Sequence, residues 1–199
     1  MKAMTRLEKQ LAFSNELDRL KRILRRSQLM DASRNENSAE HSWHLANMAM
    51  LFTEYAAGPV DLTRVLKMLL VHDIVEIDAG DTFAYDKVNV ATQNEREQRA
   101  ADRLFGLLPE EQGRELRSLW EEFEHKQTAE SKYANALDRL QPLMQNFHSG
   151  GSSWKKHGVT REQVLERMQA VKIGMPELWP TVMKLIDDAC AAGMVRASS

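Results

Sequence analysis

Apolar residues recur every three or four positions along most of the chain, and charged residues fill the intervals. This period predicts amphipathic helices that each bury one face. Glycine and proline, the residues that most often mark turns, are scarce, and none occurs before Gly58. The pattern therefore predicts an all-α chain of about seven helices with no significant sheet.

The first half of the chain is predicted to form three long helices separated by polar loops. Asn37 and Asp61 are expected to cap the second and third helices, because short polar side chains satisfy the free backbone N–H groups at helix starts. A polar loop is expected at residues 31–37. The expected bounds of the three helices are residues 4–26, residues 37–58 and residues 61–80.

The second half is predicted to form shorter helices, with threonine caps at Thr92, Thr128 and Thr160. Two stretches without helical period are expected to be loops. The first covers residues 81–91, and the second covers residues 148–158, whose glycines and serines predict a mobile segment. The expected helices are residues 92–108, a helix starting at Pro109, residues 128–147, residues 160–172 and a last helix starting at Pro180.

The buried face of the third predicted helix changes from apolar to ionisable along its length. Its stripe continues at the same spacing into His72, Asp73 and Glu76. Burying two carboxylates and an imidazole is costly unless they are paired or bind a cation. His41 similarly lies at the N-terminal end of the apolar stripe of the second helix. The set predicts a divalent metal site, and the single cysteine, Cys190, excludes a cysteine zinc cluster.

A structural interpretation of these histidines is also open. A single histidine on an apolar stripe is more often a hydrogen-bonded core residue than a metal ligand. Two helices that both place an imidazole inward favour the metal interpretation. His44, one turn after His41, is not predicted to be a ligand. The remaining histidines are expected at the surface; they are His125, His148 and His157.

An ordered set of motifs resembles the HD-domain metal-dependent phosphohydrolases. The set contains His41, then His72-Asp73, then the distant Asp138 in Leu-Asp-Arg-Leu. The segment ending at His41 reads R-N-E-N-S-A-E-H, and the segment from His72 reads H-D-I-V-E-I-D-A-G-D. These segments are similar to the R-x-E-N-x-x-E/D-H and H-D-x-x-E-x-x-x-G-D patterns of the subfamily that contains the 5'-deoxynucleotidases. The resemblance covers residues 20 to about 147.

The resemblance implies an HD-domain helical fold in which residues 1–199 form a single domain. The metal-site core would span about 20–147, with C-terminal helices at 160–192 packed on it and available for a homodimer. It also implies hydrolysis of a phosphate ester. The divalent cation would be Mn, Co, Fe, Ni, Zn or Mg, a choice that the donor types leave open. Its implied ligands are His41, His72, Asp73 and Asp138.

The resemblance also assigns residues to the reaction, in which a metal lowers the pKa of a water that attacks phosphorus. Glu76 is expected to position that water or to act as general acid for the leaving 5'-oxygen, and Asp81, which follows Gly80, is a candidate second acid or water-orienting group. Either carboxylate could instead be only a hydrogen-bonding partner. Arg26 and Arg34 match the subfamily and are expected to bind phosphate, with Lys87 a further candidate.

The chain departs from the subfamily at one position. The deoxynucleotidases have an Arg-Trp pair where this chain reads Arg26-Ser27, and the tryptophan helps to define their sugar pocket. The resemblance therefore predicts a 5'-nucleotidase that acts on nucleoside or deoxynucleoside 5'-monophosphates and leaves the sugar preference open. Two alternatives are hydrolysis of another phosphate ester or phosphodiester, and a nucleotide-binding module without catalysis.

Charge and composition limit the partners that we expect. The formal net charge is −2, with 27 basic and 29 acidic residues, so no broad basic field favours a nucleic-acid polymer. No apolar run approaches the roughly 20 residues of a membrane helix, and the charged N-terminus does not resemble a secretory signal. We therefore expect a cytoplasmic protein with a small phosphate-bearing substrate.

Overall fold

The computed structural model describes residues 3–81 and 87–196. These residues form ten α-helices and one two-stranded sheet, so the all-α prediction is confirmed. The helices are α1 (Arg6–Leu17), α2 (Ser38–Leu51), α3 (Leu62–Val71), α4 (Glu76–Ala79), α5 (Lys87–Phe105), α6 (Glu110–His125), α7 (Ala129–His148), α8 (Ser152–His157), α9 (Arg161–Gly174) and α10 (Trp179–Ala191). The strands are β1 (Leu24–Gln28) and β2 (Asn35–Asn37).

Four of the predicted helix caps are confirmed. The side chains of Asn37, Asp61, Thr128 and Thr160 each accept a hydrogen bond from the backbone N–H of the third residue of the following helix. Each bond satisfies a donor that has no partner within the helix. The starts of α2, α3, α7 and α9 therefore follow from local sequence.

The first predicted helix, residues 4–26, was too long. Helix α1 ends at Leu17, a 3₁₀ turn follows at Asp18–Arg22, and Leu24 then begins β1. Strand β1 pairs antiparallel with β2. Strand β2 lies within residues 31–37, the stretch predicted to be a polar loop. The Leu24 side chain is 59% exposed, so it does not continue the buried face of the predicted helix. The strand pairing supplies the backbone hydrogen bonds that a longer helix would have made.

The third predicted helix is divided in two. Helix α3 ends at Val71, turns follow, and α4 resumes at Glu76. Gly80 ends α4 with φ 74°, a left-handed conformation that glycine adopts without a steric penalty. The division places His72 at the C-terminal cap of α3 and Asp73 in the turn that follows it. This break and the short α8 contribute to the ten α-helices of the described residues, against about seven predicted.

Three further boundaries differ from the prediction. Helix α5 begins at Lys87, so Thr92 lies inside the helix and is not its cap; residues 82–86 of the predicted loop lie outside the described residues. Helix α2 ends at Leu51, before the predicted stop at Gly58. The stretch 148–158, predicted to be a loop, contains α8, whose Trp154 side chain is buried.

Helix α7 lies at the centre of the larger hydrophobic core and packs against α2, α3, α6 and α9. Its contact with α9 is close: a Cβ added at Gly174 would lie 2.3 Å from the carbonyl oxygen of Lys132. A smaller core joins α1, α5 and α6 to the segment around Ile77. In the described part of the chain, no helix has the length and apolarity needed to cross a bilayer.

Candidate metal centre

The four residues predicted to be metal ligands come together from three parts of the fold. His41 lies in the first turn of α2, His72 and Asp73 lie at the end of α3, and Asp138 lies in the middle of α7. All four are buried. His41 and Asp138 are 97 positions apart in sequence and meet because α2 packs against α7. Helix α3 also packs against α7 and brings His72 and Asp73 to the same place.

The donor atoms of these residues converge on one point. His41 Nε2 lies 2.9 Å from Asp138 Oδ1, and His72 Nε2 lies 3.1 Å from Asp73 Oδ1. His72 Nε2 is also 3.9 Å from the same Asp138 oxygen. One ligand atom each from His41, His72 and Asp73 lies within 4.8 Å of the others. This spacing is compatible with a single shared cation.

His72 has a nitrogen that is available for a metal. Its Nδ1 lies 2.9 Å from the backbone oxygen of Leu69, so Nδ1–H donates there and Nε2 carries the lone pair. Nε2 is buried and has no hydrogen-bond partner among the described residues. Leaving such an atom unpaired costs about 1–3 kcal/mol. Two imidazole nitrogens with two carboxylates are ligands that suit divalent transition metals, so the residues fit a metal.

The charges of His41 and Asp138 are coupled. Burial and Arg25 would lower the pKa of His41, but hydrogen bonds to Asp138 and Glu36 outweigh them and raise it. Burial would raise the pKa of the Asp138 carboxyl, yet Arg139 and the two imidazoles hold it well below its usual range. Asp138 is therefore an anion despite its burial, which suits a cation ligand.

His41 Nδ1, the ring nitrogen not directed at Asp138, contacts Gln141 and Glu36, to which the sequence assigned no role. This nitrogen lies 3.2 Å from Gln141 Oε1 and 3.3 Å from Glu36 Oε2. Gln141 Nε2 donates to Glu36 Oε1 at 2.8 Å and lies 3.2 Å from His44 Nδ1. His44 thus lies behind the cluster. Glu36 is the first glutamate of the motif that ends in His41, whereas no local pattern marks Gln141, which is 100 positions from His41.

Arg25 is a further missed residue. Its side chain is 13% exposed, and its Nη1 donates to Asp73 Oδ2 at 3.0 Å. Its Nε lies 3.6 Å from Glu36 Oε2. In β1 Arg25 is half-buried and Ser27 is buried, whereas Arg26 between them is exposed. The motif match indicates Arg26, and nothing in the sequence indicates that Arg25 contacts the acidic cluster until the segment is known to be a strand.

Glu76 and Asp81, the predicted acids, lie next to the cluster. Ser38 Oγ donates to Glu76 Oε2 at 2.6 Å. Burial and the neighbouring Asp73 raise the pKa of Glu76 well above its usual value. Burial also raises the pKa of Asp81, with Arg25 opposing this effect. Both carboxyls thus retain a proton more strongly than an exposed acid does.

Three of the four residues, His72, Asp73 and Asp138, line a cavity with a volume of about 430 Å³. This volume is in the range of roughly 300–1,000 Å³ that is typical of small-molecule sites. Acidic and basic groups share the wall with apolar side chains of α6, α7, α8 and α9. The lining includes His72, Asp73, Glu76, Asp81, Asp138, Arg25, Arg26, Lys126, Arg139, Arg167, Phe123, Leu143, Trp154 and Met168.

The two arginines predicted to bind phosphate are in different places. Arg26 lines the cavity. Arg34 is not among the lining residues; its Nη1 donates to Glu40 Oε2 at 3.0 Å on the exposed surface, and its role in binding phosphate stays a prediction. The side chain of Lys87 lies outside the described residues.

Comparison with known proteins agrees with this geometry. The family described as HD domain matches residues 17–179. The chain belongs to the HD domain family. This HD protein is 50% identical to a crystal structure named a predicted metal-dependent phosphohydrolase from Magnetospirillum magnetotacticum, with a TM-score of 0.92 over 96% of this chain and 95% of that one. The family predicted from the motifs is confirmed.

Curated relatives of this HD protein carry a more specific name. The human protein named 5'-deoxynucleotidase HDDC2 is 31% identical over 136 residues, which cover 68% of this chain and 65% of that protein. The Xenopus laevis protein of the same name is 31% identical over 136 residues, which cover 68% of this chain and 66% of that protein. The match thus spans just under two thirds of these relatives.

Proposed function

We propose that this HD protein is a metal-dependent phosphohydrolase, a 5'-nucleotidase that releases phosphate from nucleoside or deoxynucleoside 5'-monophosphates. The observation that carries the proposal is the buried Nε2 of His72, which has no hydrogen-bond partner among the residues that the structure describes. It lies beside Asp73 and Asp138 on the wall of a cavity that arginines also line. The names of the relatives, 5'-deoxynucleotidase and predicted metal-dependent phosphohydrolase, support the same reaction class.

The proposed cation is held by His41, His72, Asp73 and Asp138. When bound, it supplies positive charge that lowers the pKa of a water and screens the phosphate. Nitrogen and carboxylate donors suit Mn, Co, Fe, Ni or Zn, and Mg is a further candidate. The chain itself contributes the anionic state of Asp138, which its neighbour Arg139 maintains.

Two acids are proposed to serve proton transfer. Glu76 lines the cavity next to Asp73, and the hydrogen bond from Ser38 fixes its Oε2. With its raised pKa, it is suited to give a proton to the leaving 5'-oxygen or to orient the attacking water. Asp81 lines the same wall and is proposed as the second acid.

Cationic side chains are proposed to bind the substrate. Arg26 is exposed and lines the cavity, so its guanidinium is accessible to the phosphate of a substrate that enters from solvent. The apolar side chains on α7, α8 and α9 offer a surface for the nucleoside. Trp154 and Met168 are examples.

We also propose the setting in which the protein acts. The net charge of −2 supports a small nucleotide as partner and opposes a nucleic-acid polymer. The contact between α7 and α9 supports one HD unit over residues 1–199. A cytoplasmic location is proposed on composition, and a homodimer is proposed through the C-terminal helices, where Ile173 is 58% exposed.

The test is phosphate release from a panel of ribonucleoside and deoxyribonucleoside 5'-monophosphates. The full chain is stripped with a chelator and reloaded separately with Mn²⁺, Co²⁺, Zn²⁺ or Mg²⁺. We expect metal-dependent release by wild type, and its loss in His72→Ala and Asp73→Ala with circular dichroism still helical. His125→Ala, a change at an exposed histidine, is the matched control.

The products separate the proposal from its alternatives. Nucleoside plus phosphate supports the 5'-nucleotidase, whereas other products from diesters or non-nucleotide esters would identify a different phosphohydrolase. Tight nucleotide binding without turnover under every metal would favour a binding module. Full activity in both variants would contradict the proposed metal site.

A further inference from the structure

The carboxylate of Asp73 uses its two oxygens differently. Oδ1 lies 3.1 Å from His72 Nε2, on the side where the histidine nitrogens converge. Oδ2 accepts a hydrogen bond from Arg25 Nη1 at 3.0 Å. The guanidinium therefore holds the outer oxygen and leaves the inner one beside the imidazole.

The carboxylate of Asp138 repeats this arrangement on another element. Oδ1 lies 2.9 Å from His41 Nε2, whereas Oδ2 lies 2.8 Å from Arg139 Nη1. Adjacent residues on a helix do not normally face each other, so Arg139 must fold back along α7 to reach its neighbour. Two carboxylates from separate elements thus each give one oxygen to the histidines and one to an arginine.

We propose that Arg25 and Arg139 are positioning residues that hold Oδ2 of Asp73 and Asp138, so that only Oδ1 of each is offered to the metal. The inference rests on the metal site of the proposed function and extends it to residues that are not ligands. An unrestrained carboxylate can offer a cation one oxygen or both. Partners behind the ligands restrict this choice and orient the ligand.

The two arginines differ in exposure, which decides how each is tested. Arg139 is 25% exposed and lines the cavity, so the chain is expected to fold without it. Arg25 is 13% exposed and also lies 3.6 Å from Glu36, so its removal would leave two buried carboxylates without a cation. Arg139→Met is therefore the main variant, and Arg25→Lys, which retains the charge, is the second.

The sign of the effect on metal affinity separates positioning from simple charge. By charge alone, removing a cation beside the site would strengthen the binding of Mn²⁺ or Co²⁺. Loss of positioning has the opposite effect, typically a weakening of about 10- to 100-fold for a residue behind a ligand. We expect calorimetric titration of the stripped full chain to show this weakening in Arg139→Met, and a smaller one in Arg139→Lys and Arg25→Lys.

A matched control and a spectroscopic measurement complete the test. Arg161 also donates to an aspartate, Asp187 at 2.8 Å, but does not line the cavity, so Arg161→Met should bind metal as wild type does. The X-ray absorption spectrum of bound Co²⁺ reports the number and geometry of its ligands. We expect it to change in Arg139→Met, because Asp138 can then offer both oxygens.

The outcomes distinguish this inference from the proposed function. Absence of metal uptake by wild type would overturn the proposed metal site and this inference with it. Uptake by wild type, with equal or tighter binding and an unchanged spectrum in Arg139→Met, would overturn only the role of the arginines. Weaker binding with a changed spectrum, and no effect in Arg161→Met, would support it.

Discussion

Ser38 Oγ donates a hydrogen bond to Glu76 Oε2 at 2.6 Å, and this bond joins the first residue of α2 to the first residue of α4. Both side chains are buried, so the bond is protected from water. The motif that ends in His41 and the motif that begins at His72 thus contact each other at two places. One is the metal cluster, and the other is this hydrogen bond beside it. Glu76 is held in a fixed place on the cavity wall.

Replacement of Glu76 by Gln should lower kcat while metal binding is retained. The amide has nearly the same shape but cannot give or take the proton, and a positioned general acid or base contributes about 10²–10⁴-fold. The measurement is steady-state phosphate release, with the metal content of the same samples. Glu115→Gln, at an exposed position that pairs with Lys67, is the control. A variant with wild-type kcat would exclude Glu76 from proton transfer.

Replacement of Ser38 by Ala should shift the pH dependence of kcat. The hydrogen bond from Ser38 lowers the pKa of Glu76, against burial and Asp73, which raise it. Its loss should raise that pKa further, so a general acid at this position would remain protonated to higher pH. We expect the alkaline limb of the kcat profile to move upward. An unchanged limb, with Glu76→Gln inactive, would mean that Glu76 orients water and does not donate a proton.

Gly174→Ala should destabilise the fold, because α7 and α9 approach most closely there. The new Cβ would lie 2.3 Å from the backbone oxygen of Lys132 and 2.8 Å from Ala136 Cβ, and neither atom belongs to a flexible side-chain end. Overpacking of this kind costs about 1–3 kcal/mol, which is offset in part by the better helix propensity of alanine, about 1 kcal/mol.

Urea unfolding checks this prediction, with Gly58→Ala as the control. A Cβ at Gly58 meets no atom within 4 Å, so its effect should stay within about 0.5 kcal/mol. Equal midpoints for wild type and Gly174→Ala would show that the two helices can separate without cost.

Local features explain which parts of the fold the sequence predicts. A cap such as Asn37 acts on the third residue of its own helix, so it can be recognised without knowledge of the rest of the chain. Helical period likewise shows that His41 and His72 face inward, whatever their chemistry. The break in the third helix did not alter this conclusion, because both residues lie within or next to the predicted stripes.

Contacts between distant segments explain what the sequence does not predict. The strand that contains Arg25 exists because residues 24–28 pair with residues 35–37, and an isolated leucine pattern favours a helix instead. Gln141 reaches His41 only after α2 packs on α7. Arg34 matches a family motif, yet its Nη1 donates to Glu40 Oε2, and it is not among the residues that line the cavity. Motif position alone therefore does not establish a place in the site.

Tyr133→Phe should test the junction between α7 and α2. The phenol donates to the backbone oxygen of Ala49 at 2.9 Å, and this oxygen also accepts a hydrogen bond from Thr53 Oγ1 at 2.6 Å. The carbonyl retains one partner in the variant, so near pH 7 we expect a loss of about 0.5–1.5 kcal/mol in the free energy of unfolding.

The difference between wild type and Tyr133→Phe should depend on pH. Burial raises the pKa of Tyr133 to about 12, with the side chain of Thr53 opposing the rise. The folded state therefore holds the phenolic proton more tightly than the unfolded chain, whose tyrosines have a pKa of about 10. This stabilisation is complete below pH 10 or so and is lost as the pH rises through the folded value. Urea unfolding near pH 7 and near pH 11 should show the advantage of wild type becoming smaller; an equal gap at both would mean that Tyr133 ionises as readily in the folded protein as in the unfolded one.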